Sequence, residues 1–365
     1  MKKSCLLLLL CTAFLISCED QSEIVPSSDE LSVVQDVDMT DFYLYTDQSD
    51  DTGKIANGKG SIEKCYSMKM LNKQLDVNPG LYQKMYNVEK HARQFIAGKK
   101  PTNPGGGNGN GGNGGGEDPT DPPTEYQPLT INVIVNIIEN SPNDVTEQQI
   151  NSQIAVLNED FNNSNSNTNS APSEFANLVA DAKITFVLAD VNRRTSGTTN
   201  WGTNDAMKYS SQGGIDVTDP ANNLNIWVVP QMQTSNGQIL GYAQFPGGPD
   251  ATDGVVLGRN FFGVTSGNFG GGRTATHEVG HYLNLRHIWG DGRCNRDDFV
   301  SDTPRSDRYN TGCPEYPTVH CRNNDMTMNY MDYVNDDCMY MFTNGQNDRM
   351  RALFASGGIR EDLIN

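Results

Sequence analysis

The sequence predicts an α+β fold whose N-terminal subdomain is of α/β type, and three observations carry that reading. Apolar strand-like runs alternate with long helical patterns from about Tyr126 onward. The region after His287 is loop-rich and holds Cys294, Cys313, Cys321 and Cys338. A run of only Gly and Asn from Gly105 to Gly116 sets this unit apart from a smaller helical one ahead of it. Strands alternating with helices before a cysteine-stapled end argue against a β-sandwich.

The chain opens with Lys2 and Lys3 and an apolar run from Cys5 to Ile16, which predicts an export signal over residues 1–17, too short for a stable membrane span. Leu15-Ile16-Ser17-Cys18 resembles a bacterial lipobox, which implies cleavage before Cys18 and lipid on its thiol. A plain signal peptide with an incidental cysteine is the alternative. Residues 18–54 begin acidic at Glu19-Asp20 and stay polar, so they read as a disordered tether. From 55 to 100, Met68, Leu71 and Leu75, then Leu81, Met85, Val88, Ala92 and Phe95, recur at helical steps around the break Asn78-Pro79-Gly80. This predicts a helical hairpin with little β content. Residues 101–125, rich in Gly, Asn and Pro, bury nothing and read as a flexible, protease-accessible linker of about 25–30 Å as a coil.

The second unit spans 126–365. Ile131–Ile138 is a nearly continuous β-branched run, expected to be a buried strand. Val145–Phe161 spaces Ile150, Ile154, Leu157 and Phe161 as a helix, with Thr146 as N-cap. Ile184–Ala189 and Leu224–Val229 read as further strands, and Gly241–Phe245 and Val255–Leu257 as shorter ones. The Gly241 strand is a candidate edge along which an extended peptide pairs through its main chain. Gly270-Gly271-Gly272 leads to Thr274, expected to cap the next helix.

A formal net charge of −18 argues against nucleic acid as a partner and suits an extracellular protein. In an oxidising compartment the four late cysteines read as two disulfides. A second zinc site is the alternative, although no pair has the close spacing such sites favour. Cys65 stands alone upstream.

Three of the five histidines fall in His277-Glu278-Val279-Gly280-His281-Tyr282-Leu283-Asn284-Leu285-Arg286-His287. On a helix, His277 and His281 project from one face a turn apart. Two such imidazoles suit Zn²⁺, and Glu278 between them can reach water activated there. His287 would lie roughly 9 Å further along a straight helix. The chain must therefore turn near Asn284, in the left-handed conformation that Asn tolerates next best after Gly. Three protein ligands and one open position describe a catalytic zinc site. An ordinary amphipathic helix would not need these spacings. His91 and His320 are expected at the surface.

This stretch, together with Asn329-Tyr330-Met331-Asp332-Tyr333, resembles the metzincin zinc endopeptidases. Ile288-Trp289-Gly290, Asp298-Phe299-Val300-Ser301-Asp302-Thr303-Pro304 and the four cysteines narrow the resemblance to the pappalysin family, over about residues 126–355. The family usually has Gly where this chain has Asn284. The resemblance implies a mixed twisted sheet, an active-site helix and a disulfide-stapled C-terminal subdomain. It implies Zn²⁺ on His277, His281 and His287, with Glu278 as general base on water. Met331 would form the apolar turn beneath the metal, and Tyr333 would hold the oxyanion, a purely structural role being its alternative. It further implies Ca²⁺ near Asp298 and Thr303, where a solvated acidic loop is the alternative. Disulfides Cys294–Cys321 and Cys313–Cys338 also follow, among the three connectivities the sequence allows. Asp336 and Asp337 would sit in a primed-side pocket favouring Arg or Lys, or form a surface charge pair. Lys64-Cys65-Tyr66-Ser67-Met68-Lys69-Met70-Leu71 resembles the family's pro-segment, in which a thiolate occupies the open zinc position; a buried spectator cysteine is the alternative. The expected protein is a zymogen endopeptidase acting on protein or peptide substrates. It would be an outer-membrane or cell-surface lipoprotein, touching the membrane only through its lipid, with release of the catalytic domain after cleavage. A non-catalytic, metal-containing binding protein or adhesin is the alternative, and it would have no need of Glu278 or Tyr333.

Overall fold

The computed structural model is described for residues 36–46, 54–57, 60–99 and 126–364. The expected signal (1–17), the lipidation site Cys18, most of the tether and the linker (101–125) lie outside the described residues. The strands are β1 (Lys54–Asn57), β2 (Gly60–Cys65), β3 (Leu129–Glu139), β4 (Ile184–Thr195), β5 (Asn223–Val229), β6 (Met232–Thr234), β7 (Gly237–Ala243) and β8 (Val255–Gly258). The helices are α1 (Ser67–Val77), α2 (Leu81–Gly98), α3 (Glu147–Phe161), α4 (Arg273–Tyr282) and α5 (Asn344–Ala352).

These eight strands form one mixed sheet in the order β1-β2-β7-β8-β5-β3-β4, with β6 also pairing β7, and a separate two-stranded ladder pairs Val319–His320 with Asn323–Asn324. β3 lies between β4 and β5 and runs parallel to both, and its Val/Ile run is buried on both faces. A row of amides ties these three strands: part-buried Asn192 donates to buried Asn136 (3.0 Å), and Asn136 donates to buried Asn225 (3.1 Å). Thr146 caps α3 by accepting from Gln149 N (3.2 Å), as its spacing predicts. Ile150, Leu157 and Phe161 from α3 join Val279, Tyr282 and Leu285 in one core with the sheet.

Two expectations for the N-terminal region are corrected. The hairpin α1–α2 forms where the apolar spacing places it, but residues 60–65 are not helical. They make β2, which pairs parallel to β7 with Cys65 opposite Gly241. The candidate edge strand is therefore already paired, by the chain's own N-terminal segment. Nor is all of 18–54 a loose tether. The Tyr43 hydroxyl lies 2.7 Å from the carbonyls of Gly290 and Asp297, and Arg286 donates to Tyr43 O (2.5 Å). Leu44 is buried among Met68, Leu71 and Phe245. Cys294 is bonded to Cys321 and Cys313 to Cys338, at Cα separations of 5.5 and 5.6 Å.

Candidate metal centre and its cleft

α4 owes its start to a residue far along the chain. Thr274, expected as its cap, sits inside the first turn, and its hydroxyl makes no hydrogen bond. The N-cap is Gly272, at φ 78°, and the free amides of Gly271 and Arg273 donate instead to Asp336 Oδ2 (2.9 and 3.1 Å). A carboxylate there also complements the positive end of the helix.

The far end of α4 makes the turn that the histidine spacing demands. Asn284 takes φ 72°, Leu285 N donates to Gly280 O (2.9 Å), and the chain doubles back to His287. Each buried imidazole is fixed through Nδ1, facing Tyr330 O (2.7 Å) for His277, Leu285 O (2.8 Å) for His281 and Asp291 Oδ1 (2.5 Å) for His287. A carbonyl only accepts, so the first two rings carry their proton on Nδ1 and leave an Nε2 lone pair. These lone pairs converge: His281 Nε2 lies 3.2 Å from His277 Nε2 and 3.1 Å from His287 Nε2. Nitrogens at tetrahedral positions around Zn²⁺ would be about 3.3 Å apart. Burial, then the neighbouring imidazoles, keeps His277 and His281 well below the usual range, hence neutral. The donor set fits a zinc ion.

A candidate fourth donor comes from the N-terminal segment. Cys65 is free, buried and within 4.8 Å of all three converging imidazole nitrogens. Its Sγ lies 3.4 Å from Glu278 Oε2, the same oxygen that accepts from Ser67 Oγ (2.7 Å). Burial raises Glu278 to about 7 against the hydrogen bonds from Ser67 and Cys65. Burial, then the Glu278 charge, pushes the Cys65 thiol well up, so a cation among the imidazoles is what would favour its thiolate. Ser67 also accepts from Ala243 N (2.7 Å), and Tyr66 N donates to Gly241 O (3.1 Å). The segment thus lies along β7 as an added strand. Lys64 is fully buried, donating to Val334 O (2.6 Å) with its ammonium 5.3 Å from the Phe269 ring centroid. Burial lowers it to about 8, opposed first by Asp336.

Met331 lies under Gly280, and its amide is fixed by Asn329 Oδ1 (2.9 Å). The Tyr333 ring is buried, 5.0 Å from His287 and 5.7 Å from His277. Asp336 and Asp337 are separated: the first points inward to α4, the second is exposed. Asp298 and Thr303 meet, with Thr303 Oγ1 at 2.9 Å from both carboxylate oxygens, but Asp298 joins no described cluster of three acidic, His or Cys donors. His91 and His320 are part-buried and not, as expected, at the surface. The first donates to Ala352 O (3.0 Å) and the second pairs with Asp325. Sequence reasoning missed Ser67, Asp291 and Trp289, whose ring stacks on His287 at 4.3 Å. Ser67 and Trp289 stood in stretches already quoted for the resemblance but were given no role, and Asp291 carried a signal as a carboxylate four residues past a candidate ligand.

Residues 208–355 match the Peptidase_M43 family, described as pregnancy-associated plasma protein-A. Mature mirolysin of Tannerella forsythia in complex with a cleaved peptide is 41% identical; the match covers 66% of this chain and 96% of that one at TM-score 0.63. A promirolysin mutant of the same organism is 35% identical, covering 82% of this chain and 96% of its own at TM-score 0.67. An extracellular metalloprotease of Arthroderma benhamiae is 30% identical over 62% of this chain and 72% of its own length. With this metal-ready helix, Met-turn and mixed sheet, the chain belongs to the pappalysin family of metzincin metallopeptidases.

Proposed function

We propose that the chain is an exported zinc endopeptidase made in latent form, with His277, His281 and His287 as metal ligands, Glu278 as general base and Cys65 as the blocking group. The observation that carries this reading is the meeting of three Nε2 atoms, one thiol and one buried carboxylate at a single point. Zinc, when bound, supplies Lewis acidity that makes water nucleophilic near neutral pH and polarises a carbonyl. Glu278, raised to about 7 by burial, suits a group that takes a proton from the attacking water and returns it to the leaving amine. Tyr333 stands beside the imidazoles as a donor for the developing oxyanion. Met331 is the apolar floor.

In the precursor, the metal position, the base and the substrate edge each meet an N-terminal residue. Cys65 takes the open ligand position, Ser67 engages the base, and β2 covers the edge on which a protein or peptide substrate would pair. Lys64 marks the pocket beside the centre. A buried ammonium near Val334 O, Phe269 and Asp336 supports a site for a basic substrate side chain, with Asp336 as its acid. Asp337, being exposed, lends that pocket no support. Calcium near Asp298 and Thr303 belongs to the same proposal, because burial pushes Asp298 well above the carboxylate range and a cation would relieve that. Export and anchoring through Cys18 rest on the sequence, and extracellular relatives support export.

The test is Glu278→Ala in chain freed of its N-terminal segment. Casein hydrolysis falls at least about 100-fold while one zinc per chain is retained. Persistence of hydrolysis, or a wild type that holds no stoichiometric zinc, defeats the reading.

A further inference from the structure

The helix α5 supplies none of the candidate ligands or acids, yet it grips both halves of the centre. Its start is fixed by a capping box between Thr343 and Gln346, and by Asp302, which accepts from Thr343 Oγ1 (2.6 Å) and Gly345 N (2.8 Å). Gln346 and Arg349, three residues apart, project from one face. The Gln346 amide exchanges hydrogen bonds with Asn329 (2.8 and 3.0 Å), the residue that holds the Met331 amide. Arg349 Nε donates to Asn284 O (2.8 Å).

That carbonyl belongs to the residue on which the zinc-binding turn depends. Leu285, next in the chain, holds the His281 ring through its own carbonyl, and His287 follows two residues later. The Asn284 side-chain amide nitrogen is buried without a hydrogen-bond partner, so it does not brace the turn itself. The Arg349 guanidinium is 2% exposed, and its other two nitrogens face the two oxygens of Glu89 on α2. A planar, bidentate pair fixes the direction in which Nε points.

We propose that Arg349 is a positioning residue for the third metal ligand. It anchors the Asn284 carbonyl, and through the turn it sets where His287 stands relative to the other two imidazoles. In the precursor its counter-charge is Glu89, supplied by the segment that maturation removes. The proposal rests on the three imidazoles holding a metal, and it adds a residue that no zinc-binding motif contains.

The test uses the full chain loaded with Co²⁺. Dissociation constants come from chelator competition, coordination geometry from the visible d–d bands, and folding from thermal melting. Arg349→Met weakens metal binding about tenfold or more, as loss of outer support does at metal sites, and shifts the cobalt bands. Arg349→Lys keeps a charge for Glu89 but has no donor at the Nε position. It is expected to fold, with a smaller loss of affinity in the same direction. Arg351→Met is the control, because Arg351 is buried on the same helix and donates to Ala182 O, Lys183 O and Gln127 O, away from the centre. It lowers the melting temperature and leaves affinity and bands unchanged. The proposal is overturned if both Arg349 variants bind cobalt as tightly as wild type with the same spectrum, or if Arg351→Met shifts the metal equally. A wild type that takes up no metal defeats the peptidase-site reading instead, so the two failures are distinguishable.

Discussion

Gly280 lies on α4 beside His281, and Gly280→Ala tests whether the floor beneath the imidazoles is rigid. A Cβ there would stand 2.5 Å from Met331 Sδ and 3.3 Å from Met331 Cε. Met331 is fully buried, and its sulfur would have to retreat by about 1 Å to reach an ordinary contact distance. Two effects oppose each other. Alanine in a helix interior gains about 1 kcal/mol over glycine, and a methyl forced into a packed core costs about 1–3 kcal/mol. The net expectation is a loss of up to about 2 kcal/mol, a fall in melting temperature of a few degrees. Zinc affinity should fall as well, because Tyr330 O, next to Met331, holds His277. Paired with Met331→Ala, which removes the obstructing atoms, Gly280→Ala should become neutral or stabilising. That gives a coupling of at least about 1 kcal/mol by denaturant unfolding. If Gly280→Ala alone raises the melting temperature with zinc affinity unchanged, the side chain yields freely and the rigid-floor argument is wrong.

Two other outcomes follow from the N-terminal segment. Cys65→Ser in the full chain should abolish the thiolate-to-cobalt charge-transfer band while leaving d–d bands in place, and a band that survives would remove Cys65 from the metal. Acid should loosen the segment through Glu89, whose two arginine partners hold it at about 2 despite its burial. A lowered folded-state value stabilises above the ordinary carboxylate range near 4.5 and is lost as pH falls from there towards about 2. The contribution is on the order of 3 kcal/mol. Unfolding of the full chain by denaturant at pH 3 and pH 6, for wild type and Glu89→Gln, measures it, and equal pH dependence in the two would show that Glu89 contributes nothing.

What the sequence revealed depended on how local the signal was. Three histidines at fixed steps, the Val/Ile run of β3 and the apolar steps of α1 and α2 were legible, because each is a periodicity within one element. β2 was not. Gly-Ser-Ile-Glu-Lys-Cys has no alternation, and its Glu63 and Lys64 are buried only because of partners elsewhere in the chain. α5 was invisible for a related reason. Asn-Gly-Gln-Asn-Asp-Arg-Met-Arg-Ala reads as a surface stretch, whereas Gln346, Asn347, Asp348, Arg349 and Arg351 are all buried, Gln346 against Asn329, Asp348 against Lys99 and Tyr126, and the two arginines against carbonyls and the Glu89 carboxylate. Thr274 illustrates the opposite failure. The correct residue type stood near the helix start, but Asp336, far along the chain, took the cap.

The parallel pairing of β2 with β7 has a bearing on the solubility of the protein as well as on its latency. Once β2 departs, the amides and carbonyls of Gly237–Ala243 that it satisfied become a bare margin, and any extended backbone is a match for such a margin. A neighbouring copy qualifies as well as a meal does. If maturation removes β2, the strand would until then shield newly made molecules from stitching to one another, and stocks stripped of it should keep best with a competing peptide in the tube.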